Sequence, residues 1–214
     1  LVIIVLLTKY PTYEKDEGEK AGDSISYMTL IKNKYTLLYF LGIFCYVGIE
    51  QGIGNWISQF LQEYHQIDPQ TFGANTVAYF WAMLTVGCIL GLVLLKIFDS
   101  RKLLVGTTVI TIVCLFFALL GNSSISLFAF PMLGFFISVM WPIIFSLGLN
   151  SIKNHHGSLS GILCTGIAGG AILPFLIGVI GEITSLKTAL FFIIIPLLFI
   201  LSIGFWAKPL ITNK

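Results

Sequence analysis

Six apolar stretches, each long enough to cross a bilayer and separated by short polar turns, constrain this chain more than any motif in it. They run at roughly 35–61, 74–98, 103–120, 126–150, 159–180 and 189–207. Crossing the hydrocarbon core as a helix takes about 20 apolar residues. Strands of a membrane barrel would be about ten residues of alternating polarity. That alternation is missing, and the last stretch is apolar all round. The pattern predicts an all-α, polytopic membrane protein.

Composition agrees. Of the 214 residues, 57% are hydrophobic and 10% charged, where soluble domains carry about a quarter charged. Lipid must therefore be the solvent for most of the surface. Charge placement then gives a topology. Lys9, Lys15, Lys20, Lys32 and Lys34 precede the first stretch, and Lys96, Arg101 and Lys102 lie between the second and third. Lys153 follows the fourth, and Lys208 and Lys214 follow the sixth. The connections on the other side hold one basic residue, Lys187. By the positive-inside rule both ends of the chain are cytoplasmic. No basic cluster offers a surface for nucleic acid.

The expected organisation is simple. Residues 1–7 read as the cytoplasmic end of a truncated preceding helix, because the apolar stub is too short for a signal peptide. Residues 8–34 read as a charged cytoplasmic linker, 35–207 as a six-helix transmembrane domain and 208–214 as a cytoplasmic tail. Short connections make consecutive helices antiparallel neighbours. The first and fourth helices carry polar residues in mid-span, while the third and sixth are uniformly apolar. This period of three predicts an internal three-plus-three repeat. Cys45, Cys88, Cys114 and Cys164 all fall inside helices without metal-ligand spacing, and read as small apolar fillers.

Three passages hold the residues with chemistry. The first is YVGIEQGIGNW, residues 46–56. At 100° per residue, Tyr46, Glu50, Gln51, Asn55 and Ser58 share one arc of roughly 200° with small residues. Cys45, Ile49, Ile53, Trp56 and Ile57 fill the opposite arc. A carboxylate facing lipid costs about 3 kcal/mol or more, so the polar arc must face the bundle interior or water. Glu50 reads as a hydrogen-bond acceptor for a substrate or a protonatable coupling group, against the alternative of a structural bond to a neighbouring helix. In the fourth helix, Ser138, Pro142, Ser146 and Asn150 recur every four residues as a polar stripe. Pro142 removes a backbone donor and bends the helix. Trp141 beside it suits stacking on the apolar face of a sugar, and equally suits plain packing. In the fifth helix, Gly166 and Gly170 permit close helix contact, and Pro174 adds a flexible point. Asn75, Tyr79, Trp81, Thr85 and Thr165 are weaker cavity candidates. His65, His155, His156, Glu63 and Asp68 fall in loops. No arrangement of catalytic residues appears, so the chain reads as no enzyme and needs no cofactor.

These passages resemble the major facilitator superfamily, and within it the fucose–galactose–glucose:proton symporter family of fucose permeases. YVGIEQGIGNW is similar to the family's seventh helix. WPIIFSLGL, residues 141–149, is similar to its tenth, with Ile143 in place of Thr. HGSLSGILCTGIAGGAILPFLIG, residues 156–178, is similar to its eleventh. Asp99, Arg101 and Lys102 look like a reduced form of the superfamily's cytoplasmic loop motif. Gly87-Cys88 stands where the family often has Gly-Arg. The resemblance implies the C-terminal half of a twelve-helix carrier that moves a sugar with protons by alternating access in a bacterial inner membrane. Its implied partners are a sugar, the bilayer and a missing N-terminal six-helix half, with the proton gradient as driving force. It places Glu50 and Trp141 at the cavity, and Tyr46, Gln51, Asn55, Ser146 and Asn150, on the polar faces of the same two helices, complete the expected substrate-binding set. The family's main proton-coupling carboxylates lie in the half this chain lacks, which makes Glu50 a sugar ligand more than the proton carrier. The alternatives are a carrier for another small solute and a non-transporting half.

Overall fold

Proline, glycine and the polar caps decide where the six apolar stretches begin, break and touch. The structure, a computed structural model, describes residues 24–152 and 155–208. The stub at 1–7, the linker as far as residue 23, Lys153 and the tail beyond Lys208 lie outside the described residues. The helices are α1 (Ser24–Ile31), α2 (Lys34–His65), α3 (Ala74–Ile97), α4 (Ser100–Leu120), α5 (Ser123–Ile137), α6 (Met140–Asn150), α7 (His156–Thr165), α8 (Gly169–Ile183), α9 (Leu186–Phe191) and α10 (Ile194–Trp206). A π-helical turn, Pro69–Gly73, leads into α3, and a 3-10 turn, Gly166–Ala168, joins α7 to α8. Among the described residues, six spans are long and apolar enough to cross a membrane: α2, the π turn with α3, α4, α5 with α6, α7 with α8, and α9 with α10.

The spans reach further than their apolar stretches because capping residues sit outside them. The Asn33 side chain accepts from the Tyr35 amide, Asp99 from Arg101 and Lys102, Asn122 from Ile125 and Ser185 from Thr188. Each such cap satisfies an orphan amide and is worth about 1 kcal/mol. At the far end of α2, Gln66 adopts a left-handed conformation, and its amide reaches the Gln62 and Leu61 carbonyls. Glu63 and His65, expected in a loop, are therefore in the last turn of α2, and His156 opens α7.

Two spans break four residues before a proline, where the ring displaces the carbonyl it cannot bond. The fourth span breaks at Ser138–Val139, ahead of Pro142, and the sixth at Phe192–Ile193, ahead of Pro196. Pro174 lies inside the continuous α8. The break in the fifth span is instead the glycine-led 3-10 turn upstream.

The second span packs most extensively on the fourth, the fifth on the first, and the third on the fourth and sixth. Exchanging spans one to three for spans four to six maps this pattern onto itself. Consecutive spans two and three scarcely touch, although a short connection joins them. Glycine explains the preference. A Cβ on Gly87 would overlap Ser138, one on Gly134 the Phe80 carbonyl, and one on Gly169 the Phe44 carbonyl. Helices approach that closely only where no side chain intervenes. The core then fills with Tyr39, Ile49, Ile53, Ile57, Phe60, Phe80 and Phe130, all fully buried. Helix α1 lies within the expected linker and packs on α7, with Leu30 buried.

Candidate functional site

The first span turns its apolar arc inward and its polar arc outward. Ile49, Ile53 and Ile57 are at most 1% exposed. Glu50, Gln51 and Ser58 are half-buried, and Asn55 is exposed. The polar arc thus faces away from the core of these six spans, on their open side. Tyr46 is the exception, at 5% exposed. One helical turn before Glu50, it lies within interaction reach of the Glu50 carboxylate, and so does the Gln51 side chain. This places a carboxylate at mid-span beside a hydroxyl and a carboxamide, with acceptor capacity for a further partner.

Cys88, on the second span, lies within electrostatic reach of Glu50 and Tyr46. Its thiol donates to the Ser138 carbonyl at 3.6 Å. That carbonyl is the one Pro142 cannot satisfy, since Pro has no amide hydrogen. Cys88 is therefore more than an apolar filler. It is exposed, as is Cys164, whereas Cys45 is buried and Cys114 half-buried, and all four are free thiols. The side chain of Ser138, itself buried, donates to Phe135 at 2.7 Å.

The expected stripe on the fourth span divides at this break. Ser138 belongs to the inner seam against the second span. Ser146 and Asn150 lie on the exposed face of α6, where the Asn150 amide donates to Ser146 at 3.4 Å. Trp141 is half-buried and stacks on Phe145, with ring centroids 4.9 Å apart and planes 13° apart. One face of the indole is thus covered by protein.

The weaker candidates separate as well. Trp81 lies against Gly54 and edge-on to Phe80, 5.3 Å away, which is packing. Thr85 donates to the Trp81 carbonyl and Thr165 to the Ile162 carbonyl, so both hydroxyls serve their own helix. Asn75 and Tyr79 are exposed on the second span.

In the fifth span, Gly166 faces Ile43 and Phe40, and Gly170 faces Val47 and Gln51. Between them, Gly169 makes the tightest approach. Sequence reasoning passed over it, although the Gly-Gly pair was a signal. Trp56, placed on the apolar arc, uses its indole N–H to reach the Pro174 carbonyl at 3.2 Å and lies over Gly178. At the other end, Asp99 caps α4 and pairs with Arg101 at 3.6 Å. Arg101 in turn donates to the Ala207 carbonyl at 3.4 Å, tying the third span to the end of the sixth. Lys102 is exposed. No group of His, Cys, Asp and Glu able to hold a metal occurs among the described residues.

Fold and site together describe an integral membrane bundle with a polar face built on its first and fourth spans. Residues 39–212 match the Major Facilitator Superfamily, and the chain belongs to that family of transporters, which are not enzymes. It is 33% identical over 199 residues to the glucose/galactose transporter of Brucella abortus (strain 2308), an alignment covering 88% of this chain and 46% of that protein. It is 25% identical to the L-fucose-proton symporter of Escherichia coli (strain K12), covering 81% of this chain and 41% of that one. A crystal structure of the E. coli fucose:proton symporter superposes with a TM-score of 0.85 at 20% identity, over 96% of this chain and 51% of that one. The chain spans about half the length of the curated relatives it matches.

Proposed function

We propose that this chain forms the C-terminal half of a proton-coupled sugar carrier working by alternating access in a bacterial inner membrane. Its substrate is a hexose or deoxyhexose such as fucose, galactose or glucose. The observation that carries the reading is Glu50, a half-buried mid-span carboxylate with Tyr46 and Gln51 beside it, on the open side of the bundle. An intramembrane carboxylate is expensive and marks a pathway by default. Beside it, Gln51 and Asn55 offer donors and acceptors of the kind sugar hydroxyls require. On the fourth span, the uncovered face of Trp141 supplies an apolar platform, and Ser146 and Asn150 add polar groups nearer the level of Tyr39. The printed names of the relatives, glucose/galactose transporter and L-fucose-proton symporter, support the substrate class.

A second six-helix half would close the cavity. The exposed flanks of the second and fifth spans support this, since only 17% and 28% of their central windows are buried, against 56% for the first. Loop charges support cytoplasmic ends for both termini. Glu50 can exchange a proton with the pathway, or hold the sugar while coupling resides in the other half.

The test is uptake by the full-length carrier in proteoliposomes under an imposed proton gradient, with fucose, galactose, glucose and mannose offered in turn. Gradient-driven uptake of one sugar, reduced about tenfold or more in Glu50→Gln, is the expected result; one lost charge-assisted hydrogen bond is worth about that much. Unchanged uptake in the variant makes Glu50 structural. Absence of uptake for every sugar removes the substrate assignment and favours another small solute.

A further inference from the structure

A groove lies between the second and third spans, floored by the fourth. Its volume is about 300 Å³. Leu94 and Phe98 form one wall, Leu103 and Ile110 the other, and Phe135 and Val139 the floor. Phe98 and Ile110 are exposed at its edge. The groove exists because these two spans scarcely touch and because the third carries a glycine about two turns from its start. A Cβ on Gly106 would meet nothing within 4 Å, so the space beside it is open. Thr107 also lines the groove, but its hydroxyl is committed to the Leu103 and Leu104 carbonyls. The wall is therefore apolar along its length.

Its end is not. Lys102 is the one charged residue among those lining the groove, and it sits at the first turn of α4, where the helix dipole adds to its positive charge. The neighbouring anion, Asp99, is occupied by the Arg101 and Lys102 amides and by the Arg101 guanidinium. From Lys102 to Ile110 the groove runs eight residues, or ~12 Å of helix. One leaflet of a bilayer core is ~15 Å deep. A cation at the headgroup level with an apolar slot one leaflet deep below it is complementary to one kind of molecule.

We propose that this groove binds an anionic phospholipid of the phosphatidylglycerol class, with one acyl chain between the second and third spans and the phosphate on Lys102. The assignment rests on the chain being membrane-embedded and is independent of the solute carried. The purified full-length carrier, delipidated in a mild detergent, is titrated separately with phosphatidylglycerol and phosphatidylcholine, and retained lipid is counted by native mass spectrometry. The expected result is one tightly retained phosphatidylglycerol, preferred about fivefold, as one cation near an anionic headgroup provides. Lys102→Gln should abolish the preference and leave weak retention of both lipids. Gly106→Leu, which fills open space and so leaves the fold intact, should weaken both. Lys96→Gln, a change at the same membrane edge but outside the groove, should alter neither. Equal retention of the two lipids by the unaltered protein overturns the proposal, as does a Lys96 effect equal to that of Lys102. A carrier that retains neither lipid has its groove covered by its own other segments, and that also overturns it.

Discussion

The second span meets the fourth as the fifth meets the first, and both contacts are built on glycine, yet they are held differently. In the first–fifth seam, glycines stand on both helices. Gly48 faces Leu173, Gly52 faces Ile177, and Gly169 abuts the Phe44 carbonyl. A full indole N–H, from Trp56, then bonds the Pro174 carbonyl at 3.2 Å. In the second–fourth seam, Gly87, Gly91 and Gly134 allow the approach. The carbonyl freed by Pro142 receives only a thiol, at 3.6 Å, and a thiol is a weak donor. The helix is broken there, at Ser138–Val139, whereas α8 runs through Pro174 unbroken. The repeat therefore pairs a firmly tied seam with one that a small change can loosen, and Glu50, carried by the firm seam, is also within reach of Cys88 in the looser one.

Substitutions at the seams should sharpen that contrast. The largest effect is expected at Gly169, where an added methyl meets backbone and nothing near it can rotate away. Gly169→Ala should cost about 1–3 kcal/mol. Gly170→Ala should cost less, because its Cβ would meet the Val47 and Gln51 side chains at 2.9 and 3.0 Å, and these can shift. Thermal unfolding of the detergent-solubilised protein compares the two, and equal losses would show that backbone contact does not set the seam.

Removing one donor at a time comes next. Trp56→Phe deletes the N–H together with part of the ring that lies over Gly178, and should cost about 1–3 kcal/mol. Cys88→Ala should cost less, near the lower end of the ~0.5–1.5 kcal/mol range for a lost bond. It should also leave the Ser138 carbonyl open to water and speed exchange of nearby amides. Hydrogen exchange reads this directly, and protection unchanged at residues 138–143 would remove the asymmetry.

The smallest effect belongs to the turn outside the membrane. Asp68 accepts from the Thr71 hydroxyl at 2.7 Å and the Gln70 amide at 3.2 Å, and these bonds hold its carboxyl below the usual carboxylate range. A depressed folded-state value contributes stability above the ordinary pKa, which is lost as pH falls through the lowered one. Asp68→Asn should therefore lower stability slightly at neutral pH, leave the acid side almost unchanged and so flatten the profile. A parallel shift of the whole curve would mean the carboxylate's charge is not involved.

Periodicity and hydropathy alone determined that the described residues form a six-span membrane bundle, because apolar length and lipid solvent admit few other solutions. They also separated the two arcs of the first span, and the three-helix repeat was visible in where polar residues fall. The neighbours were not. A short connection promised contact between the second and third spans, but the glycines at 87, 91 and 134 drew the second onto the fourth, and a glycine records only what it permits. Helix ends escaped hydropathy because Asn33, Asp99, Asn122 and Ser185 cap from outside the apolar stretches. Tertiary packing alone decided which arc of the first span turned inward, since the isoleucines and the polar groups were both compatible with a buried face. It decided too that Cys88 reaches the carbonyl Pro142 leaves open, for a donor on one helix and a vacancy on another have no common signature until the helices meet.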